Sequence, residues 1–292
     1  MPSVLGIDLG GTKAALARYD AHTWEEQART TMPTEAKDGF GQVFDRIIAK
    51  AEDLITSDTV AVGMGVPGLV QQPEGTIQTL PNVPDAEGFA LKNTLEAQLQ
   101  KPAFVENDGN CFTLAEALQG AGKGQRIVAG IAIGTGVGGG IVMDEHIFHG
   151  THGYAGEIGH ILLKPGEPPF IAADTRGDAE QFLSGRAMGY RCSKAQDPRE
   201  YLEGRTCAFM HRDLCRELAW LLTGIIHTID PSVIVIGGSA GRAFAPHLHE
   251  VREELKRWLL PKTPQPEIAI ATVKDAALRG AALLTLAEHQ PA

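Results

Sequence analysis

The residues best placed to do chemistry are Asn107 and Asp108, in the run Val105-Glu106-Asn107-Asp108-Gly109-Asn110. An apolar, strand-like stretch from Pro102 to Val105 ends there, and a helical pattern with Phe112, Leu114, Ala115 and Leu118 begins just after. At a strand-to-helix corner a side chain can point into a cleft. Asp108 is therefore the candidate general base, a group that must reach the proton it removes. The plain alternative is a helix cap, which both residue types make well. These six residues alone favour the cap. A second set is Glu157 and His160 in Gly156-Glu157-Ile158-Gly159-His160. Three apart, they lie on one face of a helix or converge from a turn. Glu180 opens another helical pattern, where the helix dipole favours a first-turn carboxylate.

Two glycine turns bracket these groups. The first is Asp8-Leu9-Gly10-Gly11-Thr12-Lys13, between strand-like runs at 3–9 and 14–19. It is no P-loop, because the order is Gly-Gly-Thr-Lys and no helix follows. It is either an ordinary Gly-Gly hairpin or a nest of backbone N–H groups for phosphate, with Asp8 offering oxygen to Mg2+. The second is Gly134 to Gly140, after a strand at 127–133 and before one at 141–143. Gly134, Gly136 and Gly139 satisfy G-x-G-x-x-G, but the dinucleotide fingerprint needs a helix next. A second phosphate hairpin fits better. Two such hairpins, one opening each half, suggest duplicated domains gripping a nucleotide.

The remaining elements would position these turns. A weak third strand is expected at 24–32, a helix at 39–55, and a buried strand at 59–66 ending in Pro67-Gly68. A polar loop at 71–88 and a short helix at 90–99 follow. In the second half one helix should run from Glu180 through Met188 and a longer one over 206–229. Asp230-Pro231 then precedes a strand at 232–236, Gly237-Gly238-Ser239 turns into a helix ending at 258–260, a strand covers 268–273, and a helix covers 276–286. In that last helix Gly280-Ala281-Ala282 gives a small-residue face for close packing.

Composition narrows the function. The 292 residues carry a net charge of −10 with no Lys/Arg run, which argues against nucleic acid. No apolar stretch reaches about 18 residues, so no membrane span is expected. The chain enters a strand at once, with no signal-peptide pattern. The expected place is the cytoplasm. Cys111, Cys192, Cys207 and Cys215 form no C-x-x-C pair and are expected to be reduced thiols.

Together the motifs resemble the ROK family of bacterial sugar kinases and repressors. The matching stretches are Asp8 to Lys13, Gly65-Val66-Pro67-Gly68, Asn107-Asp108, Ile133 to Gly140, Gly156 to His160, Glu180 with Ser184-Gly185-Arg186, Asp230-Pro231 with Gly237-Gly238, and Arg279 to Ala282. They cover nearly the whole chain in the family's order. Asn82-Val83-Pro84, Asn107 to Phe112 and Trp258 to Pro261 look most like the bacterial N-acetylglucosamine kinases.

The resemblance implies an α/β, actin-like or hexokinase-type duplicated fold (ribonuclease H-like) with two domains and an interdomain cleft. The domains would be 1–116, completed by the C-terminal helix 275–292, and 117–274. It implies ATP-dependent phosphorylation of a hexose or N-acetylhexosamine hydroxyl, N-acetyl-D-glucosamine to its 6-phosphate, with Asp108 as base. Glucokinase, fructokinase and N-acetylmannosamine kinase activities are the alternatives. Gly68, Asn82, Asn107, Glu157, His160 and Glu180 would contact the sugar. Gly10, Gly11, Thr12, Lys13, Gly134, Thr135, Gly136 and Gly138 would cradle ATP phosphates, Gly237 and Gly238 would flank the adenosine, and Mg2+ would sit near Asp8. A homodimer is also implied. The family's repressors carry a DNA-binding segment ahead of the first hairpin, for which Asp8 leaves no room. A sugar-binding protein without catalysis is disfavoured by intact Asp8 and Asp108.

One departure concerns zinc. Many members bind a structural zinc through the motif histidine and three cysteines in C-x-C-G-x-x-G-C-x-E. Here Ile171, Ala173 and Asp178 stand at the cysteine positions and Asp174 replaces the first glycine. No zinc is expected, which leaves His160 to the sugar. Pro165, Pro168, Pro169, Phe170 and Ile171 would order the loop instead.

Overall fold

The computed structural model describes residues 1–81, 83–167, 176–203 and 206–286. The chain divides into two compact units, one of residues 1–115, 146–155 and 273–292, the other of 116–145 and 156–272. Residues 146–155, which the sequence grouped with the second half, thus count with the first unit.

The first unit contains β1 (Ser3–Leu9), β2 (Lys13–Asp20), β3 (Glu26–Pro33), α1 (Phe40–Leu54), β4 (Thr59–Val66), β5 (Leu69–Gln71), β6 (Thr76–Thr79), α2 (Leu91–Leu99), β7 (Ala103–Asn107) and the start of α3 (Asp108–Gln119). Its sheet runs β3-β2-β1-β4-β7. The first three strands pair antiparallel, and β4 and β7 then add in parallel. Alternation along β1 explains its two faces. Leu5, Ile7 and Leu9 join the core formed with Phe40, Val43, Phe44 and Ile47 of α1. Val4 and Gly6 face the other way, toward α8 (Ala276–Leu283).

That second face is built on missing side chains. A Cβ on Gly63 would lie 1.7 Å from the Ala281 carbonyl, and one on Gly280 would lie 1.8 Å from that of Cys111. The small-residue face expected from Gly280-Ala281-Ala282 is therefore the packing surface of α8.

The second unit repeats the plan. It contains β8 (Ile127–Ile133) and β9 (Val137–Met143); the short β10 (His146–Ile147), next in sequence, falls in the stretch counted with the first unit. Then come α4 (Ala179–Leu183), α5 (Gly185–Arg191), α6 (His211–Ile229), β11 (Val233–Gly237), α7 (Leu248–Leu255) and β12 (Glu267–Ile270). Strands β8 and β9 form an antiparallel hairpin, β11 adds in parallel to β8, and β12 adds in parallel to β11. The order hairpin, parallel, parallel is that of β2-β1-β4-β7. The duplication suggested by the two glycine turns is thus present in the topology. No described helix is long and apolar enough to cross a membrane.

Several expectations are corrected. The polar loop at 71–88 is partly the hairpin β5-β6, whose strands are too short to leave a periodic signal. The helix from Glu180 to Met188 breaks at Ser184, whose side chain accepts from the Ala187 N–H and caps α5. The helix expected from 206 starts at His211, after a single 3-10 turn at 208–210. The helix after Gly238 begins as a 3-10 turn at 241–247, where Pro246 cannot donate to an α-helical ladder, and α7 ends at Leu255. The last strand is shorter than 268–273, and α8 gives way to a 3-10 turn at 284–286. Cys192 and Cys207 are joined as a disulfide, while Cys111 and Cys215 are free and buried. The Cys192–Cys207 separation of 15 residues carries no local signature.

Two substitutions test the glycine packing. Gly63→Ala should destabilise the chain by the upper end of the roughly 1–3 kcal/mol typical of overpacking. Gly41→Ala, on α1 with nothing within 4 Å of the new Cβ, should stabilise it by roughly 0.5–1 kcal/mol. Denaturant midpoints check both. Equal midpoints for the two variants would contradict the packing of α8.

Candidate active site

In the first unit, β7 ends where α3 begins, and Asn107 resolves the capping question. Its Oδ1 accepts from the N–H groups of Gly109 and Asn110, at 2.8 and 3.1 Å, and its Nδ2 donates to the Gly68 carbonyl at 2.9 Å. Asn107 is the cap and Asp108 is the first helical residue, partly exposed. Gly68 is fixed by crowding, since a Cβ there would lie 2.2 Å from the Thr79 carbonyl.

Glu106 lies beneath this corner and is buried. Its Oε1 accepts from the Asn107 N–H at 2.7 Å and Asn110 Nδ2 at 3.0 Å; its Oε2 accepts from Gln72 Nε2 at 3.3 Å and lies 2.5 Å from His149 Nε2. The Glu106 hydrogen bond raises the His149 pKa above its usual value, against the opposing effect of burial.

The first glycine turn closes β1 onto β2. The Gly10 N–H donates to the Lys13 carbonyl at 3.0 Å, and Thr34 Oγ1 donates to the Gly10 carbonyl at 2.6 Å. Gly11, Thr12 and Lys13 are exposed. Asp8 is the last residue but one of β1, on the strand face that looks toward α8. Burial and the nearby Asp275 push its carboxyl up to about 6, with Lys13 and Arg29 pulling the other way.

In the second unit the glycine turn is shorter than expected, because β9 already starts at Val137 and Gly138 is a strand residue. Glu180, in the first turn of α4, holds the turn. Its Oε2 accepts from the Val137 N–H at 2.8 Å, and a Cβ on Gly136 would meet that oxygen at 2.5 Å. The Gly185 N–H donates to the Gly134 carbonyl at 2.8 Å. A cleft of about 250 Å³ opens beside it, lined by Gly134, Thr135, Gly185, Arg186, Tyr201 and Ser239, among others. Gly237 ends β11. At Gly238, with φ +80°, a Cβ would lie 2.3 Å from the Ile133 carbonyl, so only glycine lets the chain turn toward Ser239.

Glu157, His160 and Glu180 come together. His160 lies in a 3-10 turn, and its Nε2 is 3.9 Å from Glu157 Oε2. Burial and Glu180 raise the Glu157 pKa, while His160 opposes the rise. Asp178 is not a spare ligand. Its Oδ2 lies 3.0 Å from His160 Nδ1, raising the imidazole pKa, and its Oδ1 caps α4 through the Gln181 N–H. Thus Asp178 orients His160. Ile171, Ala173, Asp174, Pro168, Pro169 and Phe170 lie outside the described residues, as does Asn82. The described ends of the loop are cross-tied: the N–H groups of Leu163 and Lys164 both donate to the Gly177 carbonyl, and that of Ala179 donates to the Ile161 carbonyl.

The ROK family model matches residues 4–288. The chain belongs to the ROK family. It is 32% identical over 303 residues to an N-acetyl-D-glucosamine kinase of Photobacterium profundum, covering 96% of this chain and 98% of that one. Its fold matches a ROK hexokinase from Thermus thermophilus with a TM-score of 0.82, at 29% identity, over 98% of this chain and 99% of that one. It also matches a ROK family glucokinase from Streptomyces griseus in complex with glucose and AMPPNP. That match has a TM-score of 0.82 at 27% identity, and covers 97% and 98% of the two chains.

Within this ROK chain, sequence reasoning missed Glu106, His149, Gln72 and Tyr201. Glu106 did leave a signal, an acid at the end of an apolar strand, which burial then forces to find partners. The Glu106–His149 pair predicts a pH dependence. The His149 pKa is raised on folding, so its charge stabilises fully below its unfolded value near 6.5. That contribution is lost as pH rises through the higher folded value. His149→Gln, which keeps a donor, should lower the thermal midpoint at pH 6, and the gap should narrow by pH 9. A gap that is constant over this range would contradict it.

Proposed function

We propose that this ROK sugar kinase transfers the γ-phosphoryl group of ATP to the 6-hydroxyl of N-acetyl-D-glucosamine, with Asp108 as general base. The observation that carries the reading is the division of labour at the corner. Asn107 makes the cap, so Asp108 is not required for it and sits on a rigid helix start that suits a carboxylate. A sugar hydroxyl is a weak nucleophile at neutral pH, and a positioned carboxylate accepts its proton as the bond to phosphorus forms. Phosphoryl transfer is otherwise catalysed by positioning and charge stabilisation.

Glu157 and His160 would accept hydrogen bonds from, or donate them to, the ring hydroxyls in fixed directions. Asp178 fixes the His160 ring through Nδ1, which leaves Nε2 for the sugar. Glu180 has a second task, because one of its oxygens holds the glycine turn. Gly134 and Thr135 at the cleft, with Gly237 and Gly238 just ahead of its lining residues Ser239 and Ala240, would receive the nucleotide.

The first glycine turn, Gly10 to Lys13, would approach phosphates, and Asp8 fits Mg2+. Burial and the Asp275 charge leave its carboxyl short of positive charge, and a hard cation prefers such oxygen donors. Asp275 is itself held by Arg29 at 2.7 Å, so Asp8 is the ligand offered. Bound with ATP, Mg2+ would neutralise charge on the phosphate oxygens.

The identity to an N-acetyl-D-glucosamine kinase over nearly the full length supports that sugar over glucose. Asp108→Asn should lower kcat by about 100-fold or more with little change in sugar KM and an unchanged circular dichroism spectrum. Across a panel of N-acetylglucosamine, glucose, fructose and N-acetylmannosamine, kcat/KM should be highest for the first. Near wild-type turnover in the variant would reduce Asp108 to a helix residue, and preference for another hexose would overturn the choice of sugar.

A further inference from the structure

Away from the candidate active site, α6, α7 and the turn before α7 bring three metal-ligating side chains together, with a thiol beside one of them. His211 and Cys215 are four apart on α6 and share one face. His247 ends the 3-10 turn before α7, and Glu250 lies in the first turn of α7. Ligand atoms of His211, His247 and Glu250 all lie within 4.8 Å of one another. His211 Nε2 abuts Glu250 Oε2, and His247 Nδ1 lies 3.7 Å from Glu250 Oε1. The two imidazoles meet edge-on with centroids 4.5 Å apart. Cys215 Sγ is 3.8 Å from Glu250 Oε2.

The deciding feature is that Nε2 of His211 and Nε2 of His247 are both buried without a hydrogen bond. Glu250 touches the first without hydrogen-bond geometry, and Glu203 lies 3.7 Å from the second, beyond hydrogen-bond reach. A buried polar atom left without a partner is costly. His211 turns Nε2, and His247 turns Nδ1, toward the one Glu250 carboxylate, an arrangement that a single cation bridges.

The donor chemistry selects the ion. Two imidazoles, a carboxylate and a thiol suit a borderline transition metal, and four such ligands match tetrahedral zinc. Mg2+ prefers near-octahedral oxygen and keeps its waters. We propose that His211, His247, Glu250 and Cys215 bind one zinc ion per chain. On binding, the Cys215 thiol releases its proton to water and ligates as thiolate.

The ion would pin the 241–247 turn to the start of α6. Ser239 and Ala240, which immediately precede that turn, line the 250 Å³ cleft, so the site braces one wall of it. This replaces the sequence expectation that the chain carries no zinc, and leaves the 164–178 loop without one. It does not depend on which sugar the chain phosphorylates.

The test uses the full-length, untagged protein, stripped with a chelator and dialysed. Titration with zinc followed by elemental analysis should give one ion per chain. Cobalt(II) substituted for zinc should show the visible bands of a tetrahedral site with a sulfur-to-metal charge-transfer band. Cys215→Ser should remove the charge-transfer band. His247→Gln and Glu250→Gln should each weaken binding by about 100-fold or more, beyond what loss of an outer-shell partner costs. His160→Gln should leave it unchanged. Circular dichroism would show that each variant is folded. Substoichiometric uptake by the wild-type chain, binding unaffected by both His247→Gln and Glu250→Gln, or binding lost with His160→Gln would each overturn the proposal.

Discussion

A buried carboxylate cannot be left unpaired, and that constraint at Glu106 organises the corner that carries Asp108. A lone buried charge costs several kcal/mol, so Glu106 collects partners from three separate stretches: Gln72, the Asn107–Asn110 turn, and His149. These contacts fix the exit of β7, seat Asn107 to cap α3, and through His149 draw residues 146–155 into the first unit. The sugar kinase chemistry proposed for Asp108 thus rests on a buried neighbour to which that proposal gives no chemical role.

The second unit uses the same device. Glu180 accepts from the Val137 N–H and fills the space above Gly136, so a carboxylate defines the shape of the glycine turn. Asp178, two residues earlier, is buried between the cap of α4 and the His160 ring. In both units a glycine turn lies at the mouth of a hairpin with a parallel strand beside it; in the first unit Thr34 holds that turn and the buried carboxylate supports the neighbouring β7–α3 corner. Repetition of hairpin-parallel-parallel topology explains why one sequence pattern occurs twice.

The sheets were legible because their strands are long, apolar and bounded by Gly, Pro or Asp, as in Thr59–Val66 and Ile127–Ile133. The helix α1 was legible because every apolar residue at helical spacing from Phe40 to Leu54 is buried. What escaped was set by tertiary contact or by one short-range competitor. Ser184 breaks a helical pattern because its hydroxyl satisfies the next helix's N–H better than an interior position would. The Cys192–Cys207 pairing has no local spacing rule. His149 and Gln72 look like ordinary polar loop residues until Glu106 is known to be buried. Of the candidate site, Asn107, Asp108, Glu157, His160 and Glu180 were singled out in the sequence by type and position, but that Asn107 makes the cap needed the hydrogen bonds.

The central claim is that the chain moves phosphate from ATP to a sugar oxygen. Phosphorus-31 and proton NMR of the products formed from ATP, Mg2+ and N-acetyl-D-glucosamine addresses it without coupling enzymes. The account predicts one ADP released for each sugar 6-phosphate formed, with phosphorus coupling seen at the C6 protons. ADP with free phosphate and unmodified sugar, or no turnover with any hexose, would contradict it.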